Sequence, residues 1–165
     1  MREEIKVSIS YVTYNHSGYI KRAINSFIKQ NCQFNYEILI TDDASTDGTQ
    51  DIIHNFHKLY PDLIKPKYNK INQFRKNAQS HQANFERAKG KYIALCDGDD
   101  FWIDPNKLSK QIKEMEKSNA DVSFHTVEVI NPYNSNKKIK KPSSQKKIYS
   151  TNQIIWHAHK LYTSV

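Results

Sequence analysis

Apolar positions along this chain switch repeatedly between a period of two and a period of three to four, and each switch marks a predicted element. Val7, Ile9 and Tyr11 alternate with Ser8 and Ser10, predicting a strand over 7–12. Residues 15–18 break it. Ile20, Ala23, Ile24, Phe27 and Ile28 then fall at i, i+3, i+4, i+7 and i+8, the stripe of a helix that turns one face to a core. A second strand is predicted over 36–41. The next helix carries Ile52, Ile53, Phe56, Leu59 and Tyr60, with Ser45, Thr46 or Asp47 as its cap and Pro61 as its stop. Residues 63–67 read as a short strand. Helical spacing resumes around Ala78, Phe85 and Ala88 and ends at Gly90.

Residues 91–96 read as a buried strand that runs into Asp97-Gly98-Asp99-Asp100. Asp and Gly disfavour strands, so the acidic cluster is expected just past the strand's carboxyl end. Asp104-Pro105 is expected to open another helix as cap and first residue, with Leu108, Ile112 and Met115 as its buried stripe. A strand over 121–130 and a helix over 151–159 complete the pattern, and no internal repeat is present.

Alternating strands and helices of this length imply a mostly parallel sheet flanked by helices. Ligands bind outside the carboxyl ends of such strands. Three ends should meet on one edge: 13–15, Asp42-Asp43, and Asp97-Gly98-Asp99-Asp100. Three carboxylates so close repel one another unless a cation or a donor-rich ligand shares them. Hard oxygen donors favour Mg²⁺ or Mn²⁺, whose shell is completed by phosphate oxygens. A solvated acidic turn is the plain alternative. A second acidic strand end on the same edge argues for a ligand site.

The chain has 165 residues, enough for one domain with a real core. No apolar run approaches membrane-spanning length, and the charged residues 1–6 do not resemble a secretory signal. Cys32 and Cys96 form no CxxC pair, and a reduced, cytoplasmic setting is expected. The net charge is +8, from 25 basic and 17 acidic residues. Such an excess suits phosphorylated ligands or anionic surfaces. Lys137, Lys138, Lys140, Lys141, Lys146 and Lys147 cluster in a segment without acids. A solvated loop is the plain reading of that segment, and contact with an anionic membrane is the functional one. No nucleic-acid motif is present, so no nucleic-acid partner is expected.

Other motifs fail. Residues 43–48 mimic the start of a calcium loop, but position twelve is His54 where a bidentate Glu is required. His54 and His57 share a helical face without an acid or cysteine to complete a zinc site. No glycine-rich phosphate loop occurs.

Taken in order, Val7-Ser8-Ile9, Tyr14-Asn15, the helix ending in Gln30, residues 37–49, residues 88–102, and Asp104-Pro105-Asn106-Lys107-Leu108 with Gln111 resemble the family 2 glycosyltransferases. The resemblance covers roughly residues 6–130. It implies a GT-A fold, a Rossmann-like three-layer sandwich, and an inverting, metal-dependent transfer of sugar from a nucleotide-sugar donor. UDP-sugar is the expected donor and a glycan or lipid-linked molecule the expected acceptor, in surface-glycan assembly. Val12, Tyr14 and Asn15 would line the nucleotide pocket. Asp43, with Asp42 beside it, would accept a hydrogen bond from the base ring. Asp97 would face the ribose or sugar and join Asp99 and Asp100 around Mn²⁺ or Mg²⁺. Arg75 and Lys76 would contact the diphosphate or base.

Two departures accompany the match. Residues 69–77 lack the small-residue pattern frequent in the family, and Gln82 stands where asparagine is frequent. Family domains also continue past the equivalent of Val165, so residues 131–165 are expected to be a basic loop and the start of an acceptor-side region. The general base is expected beyond them, and none is assigned. A nucleotide-sugar-binding module of the same fold without turnover is the alternative function, and peripheral attachment at the inner face of a membrane is the alternative placement.

Overall fold

The computed structural model describes residues 4–73, 81–130 and 137–140. The chain divides into two compact units, Met1–Lys110 and Gln111–Val165. The first unit holds a four-stranded sheet in the order β3-β2-β1-β4. Its strands are β1 (Ile5–Thr13), β2 (Asn35–Asp42), β3 (Ile64–Tyr68) and β4 (Tyr92–Asp97), and every pair is parallel. Helices α1 (Ile20–Ile28) and α2 (Thr49–Leu59) and the short α3 (Gln82–Phe85) provide the crossovers.

The alternation in β1 decides what each side of the sheet is made of. Val7, Ile9 and Tyr11 are buried among Ile38 and Ile40 of β2, Ala23, Ile24 and Phe27 of α1, and Ile53 of α2. Tyr11 and Phe27 meet edge to face at 5.3 Å, and Phe27 meets Trp102 in the same way at 4.8 Å. Gln30, at the end of α1, joins this core to the chain beyond the acidic loop. Its Nε2 donates to the Asp104 carbonyl at 3.0 Å, and its Oε1 accepts the Leu108 N–H at 3.1 Å. That second bond satisfies a donor in the first turn of α4 (Lys107–Ser118).

The opposite side of β1 presents Ser8 and Ser10, both buried. Buried polar groups persist when hydrogen-bonded, and the segment around α3 supplies the partners. Asn84 Nδ2 donates to Ser10 Oγ at 3.0 Å, and to the carbonyls of Tyr11 and Leu39 at 3.2 and 3.1 Å. Its Oδ1 accepts from Thr41 Oγ1 at 2.7 Å and from Arg87 Nη2 at 2.8 Å. Ser8 Oγ donates to the buried Glu37, which also accepts the Lys89 N–H. Gly90 lies against β1 so closely that a Cβ there would sit 2.4 Å from the Ser8 nitrogen and 2.6 Å from the Val7 carbonyl carbon.

Several expectations are corrected. The helix expected around Ala78, Phe85 and Ala88 is a four-residue turn, in which Phe85 is exposed and Asn84 is buried. The contact face there is polar because the strand face it covers is polar; Ala78 lies outside the described residues. Strand β4 is not buried throughout: it borders the four-stranded sheet, and Ile93 and Leu95 are 43% and 49% exposed. Helix α2 starts after Gly48 in the left-handed region (φ 92°), so Ser45 and Thr46 are not its caps. Asp47 instead accepts the Thr49 N–H from one residue further back. Asp104-Pro105 forms a turn ahead of α4 rather than its first turn.

In the second unit the strand expected over 121–130 shortens to β5 (Val127–Ile130), which pairs antiparallel with β6 (Lys137–Lys140). The helix expected over 151–159 lies outside the described residues. No helix among the described residues is long and apolar enough to cross a membrane.

The Gly90 contact is with backbone, which cannot swing away. Gly90→Ala should therefore lower unfolding stability by about 1–3 kcal/mol, the usual range for overpacking. Urea denaturation followed by circular dichroism measures this, with Gly18→Ala, where a Cβ meets nothing within 4 Å, as the near-neutral control.

Candidate functional site

The register of the sheet brings the three anticipated strand ends together. Thr13 pairs with Asp42 on one side of β1, and Val12 pairs with Asp97 on the other. Asp42 shares a face with Thr13 and Tyr11, whereas Asp97 shares a face with Ser10 and Val12. The end of β1 is thus flanked by two carboxylates that point to opposite sides of the sheet.

The loops that follow β1 and β2 are tied to each other. The Asp43 N–H donates to the Thr13 carbonyl at 2.9 Å. Asn15 has a positive φ of 52°, an arrangement asparagine tolerates better than most residues. In that posture its N–H donates to Ser45 Oγ, and its Oδ1 accepts the Thr46 N–H, both at 2.8 Å. The His16 N–H donates to Thr49 Oγ1 at 3.0 Å, and the Ser17 N–H to Asp47 Oδ2 at 2.9 Å. Asp47 also accepts from the Thr49 hydroxyl at 2.6 Å. Desolvation acts upward on the Asp47 pKa, but the bonds from Thr49 and Ser17 outweigh it and hold the carboxyl well below the usual carboxylate range.

Asp42 and Asp43 are both buried. Asp42 Oδ1 accepts the Ser45 N–H at 3.0 Å and Gln50 Nε2 at 2.6 Å, and its Oδ2 is buried without a hydrogen-bond partner among the described residues. Asp43 Oδ1 accepts Asn69 Nδ2 and the Gln73 N–H, both at 2.8 Å. These bonds tie the chain after β3 to the end of β2. Tyr14 is exposed and Val12 is half-buried. Arg75 and Lys76 lie outside the described residues.

The acidic loop is anchored from below. Tyr11 donates its hydroxyl to the Gly98 carbonyl at 2.5 Å, and burial raises the pKa of that phenol far above its ordinary value. A Cβ at Gly98 would collide with the His16 ring and the Val12 carbonyl. Glycine is therefore required where the first and third loops touch. Asp97, Asp99 and Asp100 are all exposed. Desolvation, and then the negative charges of Asp99 and Asp97, push the Asp100 carboxyl upward. Lys107 lies over the Trp102 ring at 4.2 Å, and burial lowers its ammonium to about 8.

A clustered set of hard carboxylates under mutual repulsion fits a divalent cation. Among the described residues no group of three or more His, Cys, Asp or Glu side chains is arranged to enclose one. The protein would therefore supply part of a shell.

One site residue escaped sequence reasoning. His81 Nδ1 lies 2.8 Å from Ser10 Oγ, and its Nε2 lies 3.1 Å from Asp97 Oδ1. The hydrogen bond from His81, assisted by its charge when protonated, lowers the Asp97 pKa against the upward push of desolvation. Its partners are 71 residues before it and 16 after it, which leaves no periodic trace. Asn69 and Gln73 were likewise unmarked, since no spacing rule links them to Asp43.

The sequence profile of Glycosyl transferase family 2 matches residues 8–163. An uncharacterized glycosyltransferase of Nostoc sp. is 35% identical over 126 residues, covering 76% of this chain and 38% of the relative. A UDP-Glc:alpha-D-GlcNAc-diphosphoundecaprenol beta-1,3-glucosyltransferase of Escherichia coli is 33% identical over 129 residues, covering 78% of this chain and 48% of the relative. Among solved structures, S. aureus TarS in complex with UDP superimposes with a TM-score of 0.61 at 25% identity, over 71% of this chain and 34% of TarS. The chain thus spans well under two thirds of the length of these relatives.

The Asp47 bridge generates a pH prediction. A carboxyl whose folded pKa lies below its unfolded value of about 3.9 adds stability above that value and loses it as pH falls. Asp47→Asn should therefore destabilise the chain at neutral pH. The difference from the parent should shrink steadily as pH drops below about 4, as read by urea unfolding across that range.

Proposed function

The chain belongs to glycosyltransferase family 2 and has the GT-A fold, and from that membership we propose that it binds a UDP-sugar and a divalent cation, Mn²⁺ or Mg²⁺, as the donor half of an inverting sugar transfer. The observation that carries the reading is the strand register that sets Asp42 and Asp97 on either side of the β1 end, with Asp99 and Asp100 directly beyond. Support for UDP comes from TarS, which was crystallised with that nucleotide, and from the donor named for the Escherichia coli relative. The same relative's acceptor is a diphosphoundecaprenol-linked sugar, which supports a lipid-linked or glycan acceptor here.

In this reading the base lies between Tyr14 and the buried Asp43. Asp43 is locked by Asn69 and Gln73, so it offers a fixed acceptor to a ring N–H. Asn15, held by Ser45 and Thr46, keeps the neighbouring loop open to the nucleotide. Arg75 and Lys76 remain proposed contacts to the diphosphate or base. Asp97 faces the ribose and, with Asp99 and Asp100, would hold the cation. A bound cation would stabilise charge developing on the departing diphosphate. An acceptor hydroxyl would then attack the anomeric carbon from the opposite side, once a base takes its proton.

Titration calorimetry with UDP tests this. Binding should require Mn²⁺ or Mg²⁺ and disappear with EDTA. Asp99→Asn should weaken it at least tenfold, about 1.4 kcal/mol or more. Full binding in EDTA, or unchanged binding by Asp99→Asn, would refute the metal assignment. UDP binding without donor hydrolysis or transfer would mark a nucleotide-sugar-binding module.

We further propose that a chain with these partners works on the cytoplasmic face of a membrane, touching it through Lys137, Lys138, Lys140, Lys141, Lys146 and Lys147. The first three belong to β6, and the others lie outside the described residues. Near anionic lipid each lysine contributes about 1 kcal/mol. Neutralising all six should abolish sedimentation with phosphatidylserine vesicles while leaving UDP binding intact. Sedimentation that is unaffected by the substitutions would remove the membrane proposal.

A further inference from the structure

We propose that His81 is a positioning residue for Asp97, delivering an Nε2–H hydrogen bond whose direction is imposed from the protein interior. The proposal rests on the donor-site reading for its functional consequence, though not for its chemistry.

The direction follows from counting donors. Asn84 Oδ1 receives Thr41 Oγ1 and two nitrogens of Arg87, at 2.7, 3.2 and 2.8 Å. Three convergent donors identify that end of the amide as oxygen and the other as NH₂. The NH₂ end donates to Ser10 Oγ at 3.0 Å. Ser10 accepts from the amide and keeps its own proton to give to its other neighbour, His81 Nδ1, at 2.8 Å, while the Asp97 carboxylate beyond the ring can only accept, so Nε2 is the nitrogen that donates. A neutral imidazole that accepts at Nδ1 carries its proton on Nε2. That nitrogen lies 3.1 Å from Asp97 Oδ1.

Every bond in the chain Arg87, Asn84, Ser10, His81, Asp97 therefore points outward, from the buried polar face to an exposed carboxylate. The exposures fit this division: the His81 side chain is 17% accessible and that of Asp97 75%. The Phe85 ring stacks on the His81 ring at 6.0 Å and 16°, which limits its rotation. An exposed aspartate samples several rotamers. This one is held in a single direction beside Val12, which removes part of the ordering cost of binding a ribose hydroxyl or a cation.

The test uses two side chains that each copy one imidazole nitrogen. His81→Gln places an amide N–H near the Nε2 position and retains the donor to Asp97. His81→Asn places its amide near Nδ1 and retains the Ser10 side alone. With Mn²⁺ present, His81→Gln should bind UDP within about threefold of the parent, while His81→Asn and His81→Ala should weaken binding about tenfold, a loss near 1.4 kcal/mol. Thermal melting identifies any variant that fails to fold. Equal losses in the Gln and Asn variants, or none in either, would overturn the proposal.

A second measurement does not depend on UDP. Imidazole ¹⁵N shifts at about pH 8.5, where an ordinary histidine is neutral, should show His81 protonated at Nε2 and bare at Nδ1. Ser10→Ala should remove the hydrogen bond to Nδ1 and move the resonance of that nitrogen alone. A dominant Nδ1–H form in the parent would overturn the proposal. If the parent binds no UDP yet shows the Nε2–H tautomer, the donor-site reading fails and the positioning of Asp97 stands.

Discussion

A single buried amide holds the polar face of the sheet together. Asn84 is fully buried, and an unpaired amide in that position would cost several kcal/mol. Instead its NH₂ end reaches β1 and β2, and its carbonyl end collects Thr41 and Arg87. Arg87 extends the reach to the carbonyls of Ile40 and Lys65, so β3 is joined too. A sheet face with two serines, a threonine and a glutamate would be a poor core for an apolar helix. Covered by Asn84 and Arg87, it becomes a hydrogen-bonded layer with fixed geometry. Because that layer ends at Ser10 and His81, the order it imposes extends to the strand end where Asp97 emerges.

The opposite face follows the ordinary logic of apolar burial, with Tyr11 linking the two regimes. Its ring packs on Phe27 while its hydroxyl holds the Gly98 carbonyl. Packing in the core is thereby transmitted to the backbone of the acidic loop. Gln30 acts similarly at the far end of that loop, fixing Asp104 and Leu108 to α1. The nine-residue connection between β4 and α4, residues 98–106, is held at both ends, leaving Asp99 and Asp100 as its projecting part.

Much of this was legible in the sequence, and the failures share a cause. The period-two alternation of β1 and the helical stripe of α1 come from burial against a continuous apolar core, so pattern reading located both to within a residue or two. The convergence of three strand ends, two of them acidic, followed from parallel topology alone. The region of α3 was misread because pattern reading assumes that buried means apolar; Phe85 was expected inside and Asn84 took the place. The Ile93–Leu95 run was read as buried because a continuous apolar stretch usually is, yet β4 borders the described sheet. The partners of Asp43 and Asp97 were invisible because they join residues 16 to 30 positions apart through loops that carry no repeat.

The acidic residues at the strand ends look alike in sequence, and the structure separates them into two kinds. Asp42, Asp43, Asp47 and Asp97 each accept hydrogen bonds from named donors. These bonds shape loops and fix directions. Among the described residues, the Asp99 and Asp100 carboxylates receive no such bonds, and desolvation, with the charges of Asp99 and Asp97 behind it, pushes the Asp100 carboxyl upward. A site organised in this way keeps its uncompensated charge at one projecting point, supported by residues that cannot readily turn to neutralise it. Under the proposed metal reading, a divalent cation arriving with phosphate oxygens would supply the compensation that these two side chains lack.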